Sequence, residues 1–515
     1  MGVSSNFGHL PTAKSVFENP SSEEFTSLTG MMSNASLTSF GSYNIQTRVD
    51  ARSAGSTYIV SDASSHYGGQ TVSKAEASRL ADIQDRYIKE QEMVLVSGTI
   101  CPSGELVTPS CLYIEKSNAN VAGMQRKLYF HPGETVGPIE FSIIYTPNLA
   151  IPGYPNERCI LVDLDSGVTR VMNSDYFGES KKGGLRMWNH KVFNMGGLAL
   201  HAGCKVIPVK GKEKVFLIVG LSGTGKTTTT FTDQNGSLPV QDDFVALLPG
   251  GRVAATEQGC FAKTYRLTPK YEPAIYKAVT LPTTYLENVS QGASGAIDFA
   301  DDAYTQNGRA VFGLEDLGNS RDATEIGSVD ALLILNRNEN LIPAVARLNR
   351  EQAAAYFMLG ETQGTSAGGK DEMGKFLRVP GTNPFFPMSH ELQGNRFLEL
   401  RDSHPFDVYL MNTGRVGGPE DDSRSLKISV LDSSAIVKGI AEGTIVWKLD
   451  PDFGYEVAEG VPGIDEPELL RPRLLYERQG RLDEYEAAVR RLKQERLAGF
   501  EEYPDLNPDI RGAVR

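Results

Sequence analysis

The feature that most constrains this chain is a glycine-rich loop at residues 220–228. Five apolar residues, Val215 to Val219, lead into the loop, and its last part reads Gly225-Lys226-Thr227. This order fits the pattern G-x-x-x-x-G-K-[ST] after a strand, which is typical of a phosphate loop. Backbone N–H groups can turn toward one anion there, the lysine can reach the outer phosphates, and the threonine hydroxyl can hold Mg²⁺. The pattern predicts a nucleotide phosphate site made by Gly220, Leu221, Ser222, Gly223, Thr224, Gly225, Lys226, Thr227 and Thr228.

The size and charge of the chain narrow the classes of partner. A length of 515 residues is too great for one ordinary core, so two or three packed units are expected. The net charge is −13, with 51 basic and 64 acidic residues and no lysine- or arginine-rich tract. Nucleic acid and membranes are therefore poor partners. An anionic substrate requires a local cationic pocket.

The cysteines and the apolar residues indicate a cytoplasmic protein. The five cysteines are scattered and never form C-x-x-C, which is typical of a reducing compartment. No run of about 18 apolar residues could span a bilayer, and the N-terminus has no basic-then-apolar signal pattern. The sequence leaves the oligomeric state open between a monomer and a small homo-oligomer.

The distribution of apolar stretches predicts a mixed α/β fold in three segments. Residues 1–45, rich in Ser, Asn, Thr and Gly, predict a flexible or draped arm. Residues 46–200 alternate short apolar stretches with turns around one helical candidate, Lys74 to Gln91, and are expected to form an α/β unit. Residues 201–515 contain the phosphate loop and end in a helix whose apolar face, from Leu482 to Leu492, is expected to pack on the same unit.

For the other candidate residues, the sequence around each one supports a functional role to a different degree. Asp242 and Asp243 follow an apolar approach at Leu238 to Val240, and adjacent carboxylates at a strand end suit Mg²⁺ or Mn²⁺. Their position after a phosphate loop favours metal binding over a solvated turn. Lys182 and His201 are weaker candidates, because paired lysines usually form a solvated surface and a histidine after an apolar run is usually a core residue.

The order of these motifs resembles that of the ATP-dependent phosphoenolpyruvate carboxykinases. The resemblance runs from about Arg48 to Asn507, and the first forty or so residues lie outside it. The motifs that carry it are Arg52-Ser53 with Tyr58-Ile59-Val60, Tyr176 to Lys182, His201, GLSGTGKTT, Asp242-Asp243, Glu257 to Thr264, Leu286 to Val289, Asn307 to Ala310, Asn412-Thr413-Gly414 and VPGIDEPELLRPR.

The resemblance implies a fold with an N-terminal α/β substrate domain and a C-terminal mononucleotide-binding domain that contains the phosphate loop. It also implies two metal sites. Lys182, His201 and Asp243 would hold Mn²⁺, with the lysine as a neutral amine whose pKa lies far below about 10.4. Thr227 would ligate Mg²⁺ on the nucleotide directly, and Asp242 would contact it through water.

The same resemblance implies the reaction and the remaining roles. Oxaloacetate and ATP would be converted reversibly into phosphoenolpyruvate, CO₂ and ADP, a step of gluconeogenesis. Lys226, Lys263 and Arg309 would neutralise the transferred phosphoryl group. Arg52 would bind a substrate carboxylate and Tyr176 would line the carboxylate or CO₂ pocket. Glu257 would belong to the nucleotide site, and Cys260 would be a packing residue or metal neighbour and not a nucleophile.

Two departures from the family pattern keep two alternatives open. Ala54-Gly55-Ser56 replaces the family's Pro-Lys-Asp beside Arg52, which motivates a kinase of the same fold acting on another carboxylate-bearing acceptor. The segment from Thr365 to Pro380 has no clean counterpart of the family's Gly-Thr-Glu-Arg-Gly-Ile-Thr-Glu-Pro, which motivates a nucleotide-binding regulatory protein without turnover.

Overall fold

A computed structural model of the chain describes residues 7–63, 66–129, 138–221, 223–363 and 375–515. Strands and helices alternate along it, so the mixed α/β class is confirmed. No helix in these ranges is long and apolar enough to cross a membrane.

The strands of the N-terminal half are β1 (Ser15–Glu18), β2 (Ala35–Leu37), β3 (Tyr43–Ile45), β4 (Thr57–Val60), β5 (Thr71–Val72), β6 (Glu92–Ile100), β7 (Thr108–Glu115), β8 (Phe141–Thr146), β9 (Cys159–Asp163), β10 (Val168–Met172), β11 (Leu198–Leu200), β12 (Ala202–Val209), β13 (Lys212–Val219), β14 (Leu238–Gln241), β15 (Val245–Leu247) and β16 (Val253–Ala255). Those of the C-terminal half are β17 (Gly259–Lys263), β18 (Tyr285–Glu287), β19 (Arg309–Gly313), β20 (Val329–Asn336), β21 (Val345–Leu348), β22 (Glu361–Gln363), β23 (Phe376–Arg378), β24 (Asp407–Asn412), β25 (Arg415–Val416), β26 (Leu426–Lys427), β27 (Val446–Leu449) and β28 (Glu456–Gly460).

The α-helices are α1 (Ser22–Gly30), α2 (Lys74–Ile88), α3 (Ala119–Leu128), α4 (Phe177–Asn194), α5 (Lys226–Phe231), α6 (Pro273–Val279), α7 (Arg350–Leu359), α8 (Glu391–Ser403), α9 (Val430–Glu442), α10 (Pro467–Leu470), α11 (Pro472–Arg478), α12 (Leu482–Phe500) and α13 (Pro508–Gly512). The predicted helix from Lys74 is present as α2 and ends at Ile88, three residues before the expected end.

A mixed eight-stranded sheet, in the order β1-β6-β7-β8-β10-β9-β4-β5, is built by residues before 173. It pairs parallel strands, such as β7 with β8, beside antiparallel ones, such as β6 with β7. Helix α4 packs on this sheet through β8 and β10. Since α4 also contacts β11, it connects this sheet to the part of the chain that leads into the phosphate loop.

The second eight-stranded sheet has the order β14-β12-β13-β20-β24-β21-β28-β27 and holds the phosphate loop at its centre. Along β13, Val215, Leu217 and Val219 join one apolar core, while Phe216 and Ile218 join the core on the opposite face. Both faces are therefore buried, which explains why this strand is a continuous apolar run. Strands β20 and β24 lie parallel to β13, so the loop leaves the carboxyl edge of parallel strands, where open α/β sheets commonly bind ligands.

A five-stranded sheet, β17-β19-β18-β3-β2, joins the beginning of the chain to its middle. Strand β3 runs parallel to β18, with Ile45 opposite Glu287. Two residues after β3, the Thr47 N–H donates to Asn288 Oδ1 over 2.8 Å. Residues 7–45 thus contribute strands to two sheets, while the division of the chain into segments 1–45, 46–200 and 201–515 stays a prediction.

The C-terminal helix α12 packs on the core of the second large sheet, as expected. Its apolar residues Tyr485, Val489 and Leu492 belong to that core. Beside them the fully buried Arg496 donates to the Glu361 carboxylate, with Nη2 and Oε2 2.6 Å apart. This ion pair ties α12 to β22, close to the segment 364–374 that lies outside the described residues.

Candidate active site

One cavity of about 290 Å³ collects most of the predicted site residues. It lies where the phosphate loop, α4, the ends of β14 and β17 and the start of β19 meet. The predicted residues that line it are Arg52, Tyr176, Lys182, His201, Leu221, Gly223, Gly225, Lys226, Thr227, Thr228, Asp242, Asp243, Lys263 and Arg309.

Asp243 is the centre of the charged groups in this cavity. Four nitrogen groups lie within contact distance of its carboxylate oxygens. Lys182 Nζ is 2.5 Å away, His201 Nε2 2.9 Å and Lys181 Nζ 3.0 Å, and the Lys226 amine also contacts the carboxylate. Burial alone would raise the pKa of Asp243, but the three lysines lower it well below its ordinary value. A permanently ionised carboxylate is therefore held among several nitrogen groups.

The environment favours the neutral forms of Lys182 and His201. Burial lowers the pKa of Lys182 to about 7, helped by Lys181 and Lys226 and opposed by Asp243. Burial and the charge of Lys226 lower the pKa of His201 to about 4. At neutral pH His201 is thus uncharged, and a metal ligand must be deprotonated in this way.

The hydrogen bonds of His201 test whether a metal fits here. Its Nδ1 lies 3.0 Å from the carbonyl oxygen of Thr382, which can only accept a hydrogen bond, so the neutral ring carries its proton on Nδ1. The lone pair on Nε2 then faces Asp243 Oδ1 at 2.9 Å, and a cation bound by both atoms would relieve the repulsion between them. A divalent metal fits this arrangement, although the described residues hold no group of three or more His, Cys, Asp and Glu side chains placed for a metal.

Asp242, the neighbour of Asp243 in sequence, is the second carboxylate in the cavity. It is 2 % exposed, and its Oδ1 has no hydrogen-bond partner among the described residues. Burial and the neighbouring Asp243 raise the pKa of Asp242, while Lys226 and a hydrogen bond from Thr227 lower it. A buried oxygen without a partner, next to the threonine of the phosphate loop, suits a hydrated divalent cation.

Two cations face each other at the far side of the cavity. Lys263 at the end of β17 is the cross-strand partner of Arg309 at the start of β19. Burial, with the charges of Arg309 and Arg337, lowers the pKa of Lys263 to about 8. Like charges directly opposite each other are unfavourable in a sheet, and an anion such as a phosphoryl group removes this repulsion.

The segment around Arg52 is held from two sides. The Ser53 N–H donates to Glu179 Oε1 over 2.6 Å, and Arg158 Nη1 donates to Ser53 Oγ over 3.0 Å. Glu179 lies on α4, three residues before Lys182, so one helix supports the candidate substrate arginine and carries the candidate metal ligand Lys182. Arg158 supplies a cation near the place where the family pattern has a lysine.

Not every predicted site residue reaches the cavity. Gly220 and Thr224 shape the loop from behind, since a Cβ on Gly220 would lie 2.4 Å from Thr224 Oγ1. Glu257 is fully buried, and its Oε2 lies 2.9 Å from Lys181 Nζ. Glu257 therefore supports Asp243 through Lys181 and does not line the cavity. Ser222 lies outside the described residues.

Three residues near the centre were not predicted. Lys181 stands inside the recognised motif from Tyr176 to Lys182, but a lysine pair does not reveal which amine points at which carboxylate. Phe244 and Phe385 place their rings 4.8 and 4.4 Å from Lys182 Nζ. Phe244 directly follows Asp243 and could have been found by that position, whereas Phe385 is far from any motif in sequence.

A buried carboxyl group at the start of α4 makes stability depend on pH. Glu287 is fully buried and accepts a hydrogen bond from the N–H of Phe177, the first residue of α4, over 3.0 Å. Burial raises the pKa of Glu287 to about 8. The folded protein then holds a proton that the unfolded chain releases near pH 4.5, so the contribution of this group to stability is lost as pH rises from 4.5 to 8.

The Glu287→Gln variant tests this dependence, because the amide oxygen can still accept from Phe177 and does not titrate. Relative to the variant, the wild type is expected to lose about 3 kcal/mol of unfolding free energy between pH 5 and pH 8. Urea unfolding of both proteins at the two pH values measures it. If the difference in unfolding free energy between the two proteins does not change with pH, the raised pKa of Glu287 is contradicted.

The chain matches known proteins over most of its length. A family model described as phosphoenolpyruvate carboxykinase matches residues 14–467. A relative from Aeropyrum pernix, named phosphoenolpyruvate carboxykinase (ATP), is 32% identical over 365 residues, which cover 68% of this chain and 70% of the relative. A relative of the same name from Thermus thermophilus is 32% identical over 376 residues, covering 70% and 68%.

A third relative extends the similarity to almost the whole chain. The protein named phosphoenolpyruvate carboxykinase (ATP) 1 from Moorella thermoacetica is 28% identical over 499 residues, which cover 93% of this chain and 92% of the relative. Residues 14–467, which the family model matches, include the phosphate loop, the carboxylate pair and the cationic groups described above. The chain belongs to the ATP-dependent phosphoenolpyruvate carboxykinase family.

Proposed function

We propose that this protein is an ATP-dependent phosphoenolpyruvate carboxykinase that converts oxaloacetate and ATP into phosphoenolpyruvate, CO₂ and ADP, with Mn²⁺ and Mg²⁺, as a step of gluconeogenesis. The observation that carries the proposal is one cavity lined by the phosphate loop, by the set Lys182, His201 and Asp243, and by Arg52. A nucleotide phosphate, a metal and a carboxylate can meet there. The alternatives, another acceptor or binding without turnover, are not favoured by the family match.

On the nucleotide side, cations and the loop backbone carry the phosphates. Gly223 and Gly225 have φ values of 88° and 91°, which turn the loop backbone as a phosphate cradle requires. Lys226 would bind the outer phosphates, and Lys263 and Arg309 would balance the charge that spreads over the transferred phosphoryl oxygens. Thr227 and Asp242 would hold the Mg²⁺ of the nucleotide.

On the substrate side, Arg52 would bind a carboxylate of oxaloacetate in a forked geometry. Tyr176, whose hydroxyl accepts a hydrogen bond from Asn307 over 3.3 Å, would line the pocket for the carboxylate that leaves as CO₂. Lys182, His201 and Asp243 would hold Mn²⁺, which supplies Lewis acidity for the enolate left by decarboxylation. The cationic side chains around it would keep the enolate oxygen oriented toward the γ-phosphorus of ATP.

We also propose that residues 46–200 form the substrate-binding unit and residues 201–515 the nucleotide- and metal-binding unit, with 1–45 draped across them. Strand β3, which pairs with β18, and β2, which pairs with β3, support the draped course. The five unpaired cysteines support a reducing, cytoplasmic location. We expect the protein to be a monomer or a small homo-oligomer. We expect it to bind neither nucleic acid nor a membrane.

A carboxylation assay tests the proposed function. The protein is mixed with phosphoenolpyruvate, bicarbonate, ADP and Mn²⁺, and oxaloacetate is trapped by malate dehydrogenase with NADH. NADH oxidation that requires ADP and phosphoenolpyruvate is expected. Wild-type protein that binds ATP and is folded, but forms no oxaloacetate above the Lys226→Ala variant, would sink the proposal.

A further inference from the structure

The carbonyl group that fixes the His201 tautomer belongs to a turn in an unusual backbone conformation. Gly381 has a φ of 65° and Thr382 a φ of 51°, so two consecutive residues lie in the left-handed region. A β-branched residue rarely adopts this region, because its Cβ crowds the following carbonyl oxygen. Strained backbone persists only where other contacts hold it, and it is concentrated at functional sites.

Asn383 supplies the contacts that hold this turn. Its side chain is fully buried, and Nδ2 donates to Asn189 Oδ1 over 2.9 Å and to the Ala199 carbonyl over 3.2 Å. Its Oδ1 accepts from the Phe385 N–H over 3.1 Å. Asn189 lies on α4 with Lys182, and Ala199 lies in β11, two residues before His201. One amide therefore ties the turn to α4, which carries Lys182, and to β11, which leads directly into His201.

Phe385 extends the turn to the second nitrogen ligand. Its ring centre lies 4.4 Å from Lys182 Nζ and 5.7 Å from the centre of the His201 ring. Phe244 covers Lys182 from another direction at 4.8 Å. These rings restrict where the lysine amine can lie and so help to keep it beside Asp243.

We infer that residues 380–385, here called the 380–385 turn, position the metal site. Asn383 is a positioning residue that anchors the turn, the Thr382 carbonyl presents His201 Nε2 to the metal, and Phe385 holds the Lys182 amine. The inference rests on the proposed function, since it concerns the same metal site. Groups that orient a metal-binding histidine from behind commonly change metal affinity by about 10- to 100-fold when they are lost.

Mn²⁺ binding by the Asn383→Ala variant tests the inference. The full-length protein without nucleotide or oxaloacetate is titrated with Mn²⁺, and free Mn²⁺ is measured by electron paramagnetic resonance. The Kd is expected to rise by about 10- to 100-fold, because the Thr382 carbonyl no longer has a fixed position behind His201. A folded variant with an unchanged Kd would overturn the inference.

Asn44→Ala is the matched control. Asn44 is 1 % exposed and donates to the Val289 carbonyl over 2.8 Å and to Gln291 Oε1 over 3.1 Å, in the five-stranded sheet. It does not line the cavity, so its Mn²⁺ Kd is expected to stay within twofold of wild type. An equal loss of Mn²⁺ affinity in both variants would mean that the loss comes from a general loosening of the structure, and it would overturn the role of Asn383. Wild-type protein that binds no Mn²⁺ would instead overturn the metal site of the proposed function.

A measurement on the wild-type protein avoids any loss of folding. Nitrogen-15 NMR of histidine-labelled, metal-free protein at neutral pH reports which ring nitrogen carries the proton. The chain has seven histidines, and the signal of His201 is the one that disappears in His201→Gln. A protonated Nδ1 and a bare Nε2 are expected, and a proton on Nε2 would overturn the inference.

Discussion

The Lys226→Ala variant is expected to lose about 10³-fold or more of kcat in phosphoenolpyruvate formation. Lys226 is the first residue of α5, lines the cavity and contacts Asp243, so in the proposed site its amine would stand between the nucleotide phosphates and the metal-binding residues. Phosphoryl transfer depends on positioning and charge neutralisation, and alanine removes both at this point. Initial rates at saturating ATP and oxaloacetate measure the loss.

Lys191→Ala is the control for this variant. Lys191 is partly buried, with its side chain 19 % exposed against 6 % for Lys226, and donates to Thr108 Oγ1 over 3.0 Å and Glu140 Oε2 over 2.7 Å. It does not line the cavity, and wild-type kcat is expected. Residual activity of Lys226→Ala within tenfold of wild type would contradict the role of the phosphate loop.

The Asp243→Asn variant is expected to lose Mn²⁺ binding and about 3 kcal/mol of unfolding free energy. The carboxylate lies within 3.0 Å of the amines of Lys181 and Lys182 and also contacts Lys226. Asparagine keeps the shape but removes the negative charge, so the buried amines lose the anion that compensates them. Mn²⁺ titration and urea unfolding of the metal-free protein measure the two effects.

Asp316→Asn separates this effect from the general consequence of removing a carboxylate. Asp316 accepts from the Gly313 N–H over 2.9 Å and pairs with Lys127 at 3.7 Å, outside the cavity. Unchanged Mn²⁺ affinity is expected for this control. An Asp243→Asn variant that binds Mn²⁺ as the control does would remove Asp243 from the metal site.

The parts of the site that could be predicted from sequence are those encoded by short, local patterns. The loop from Gly220 to Thr228 follows a strand buried on both faces, and both properties are visible in the order of residues. Asp242 and Asp243 follow directly from the end of β14. The sequence also predicted the mixed α/β class, because apolar runs and helical periodicity depend on neighbouring residues only.

The parts that could not be predicted depend on contacts between distant segments. Glu257 belongs to a recognised motif, but only the fold shows that it pairs with Lys181 behind the cavity. The carbonyl of Thr382 reaches His201 across 181 residues of sequence, and a backbone group leaves no trace in residue type. The strands within residues 7–45 were missed because their partners, such as β18, lie far along the chain.

Phosphorus-31 NMR of the forward reaction tests the central claim, that one cavity couples a nucleotide phosphate to a carboxylate substrate. The protein is incubated with ATP, oxaloacetate, Mg²⁺ and a trace of Mn²⁺, and the products are followed with time. Equal amounts of phosphoenolpyruvate and ADP are expected, with none formed when oxaloacetate is omitted. Formation of ADP and inorganic phosphate without phosphoenolpyruvate would contradict the claim.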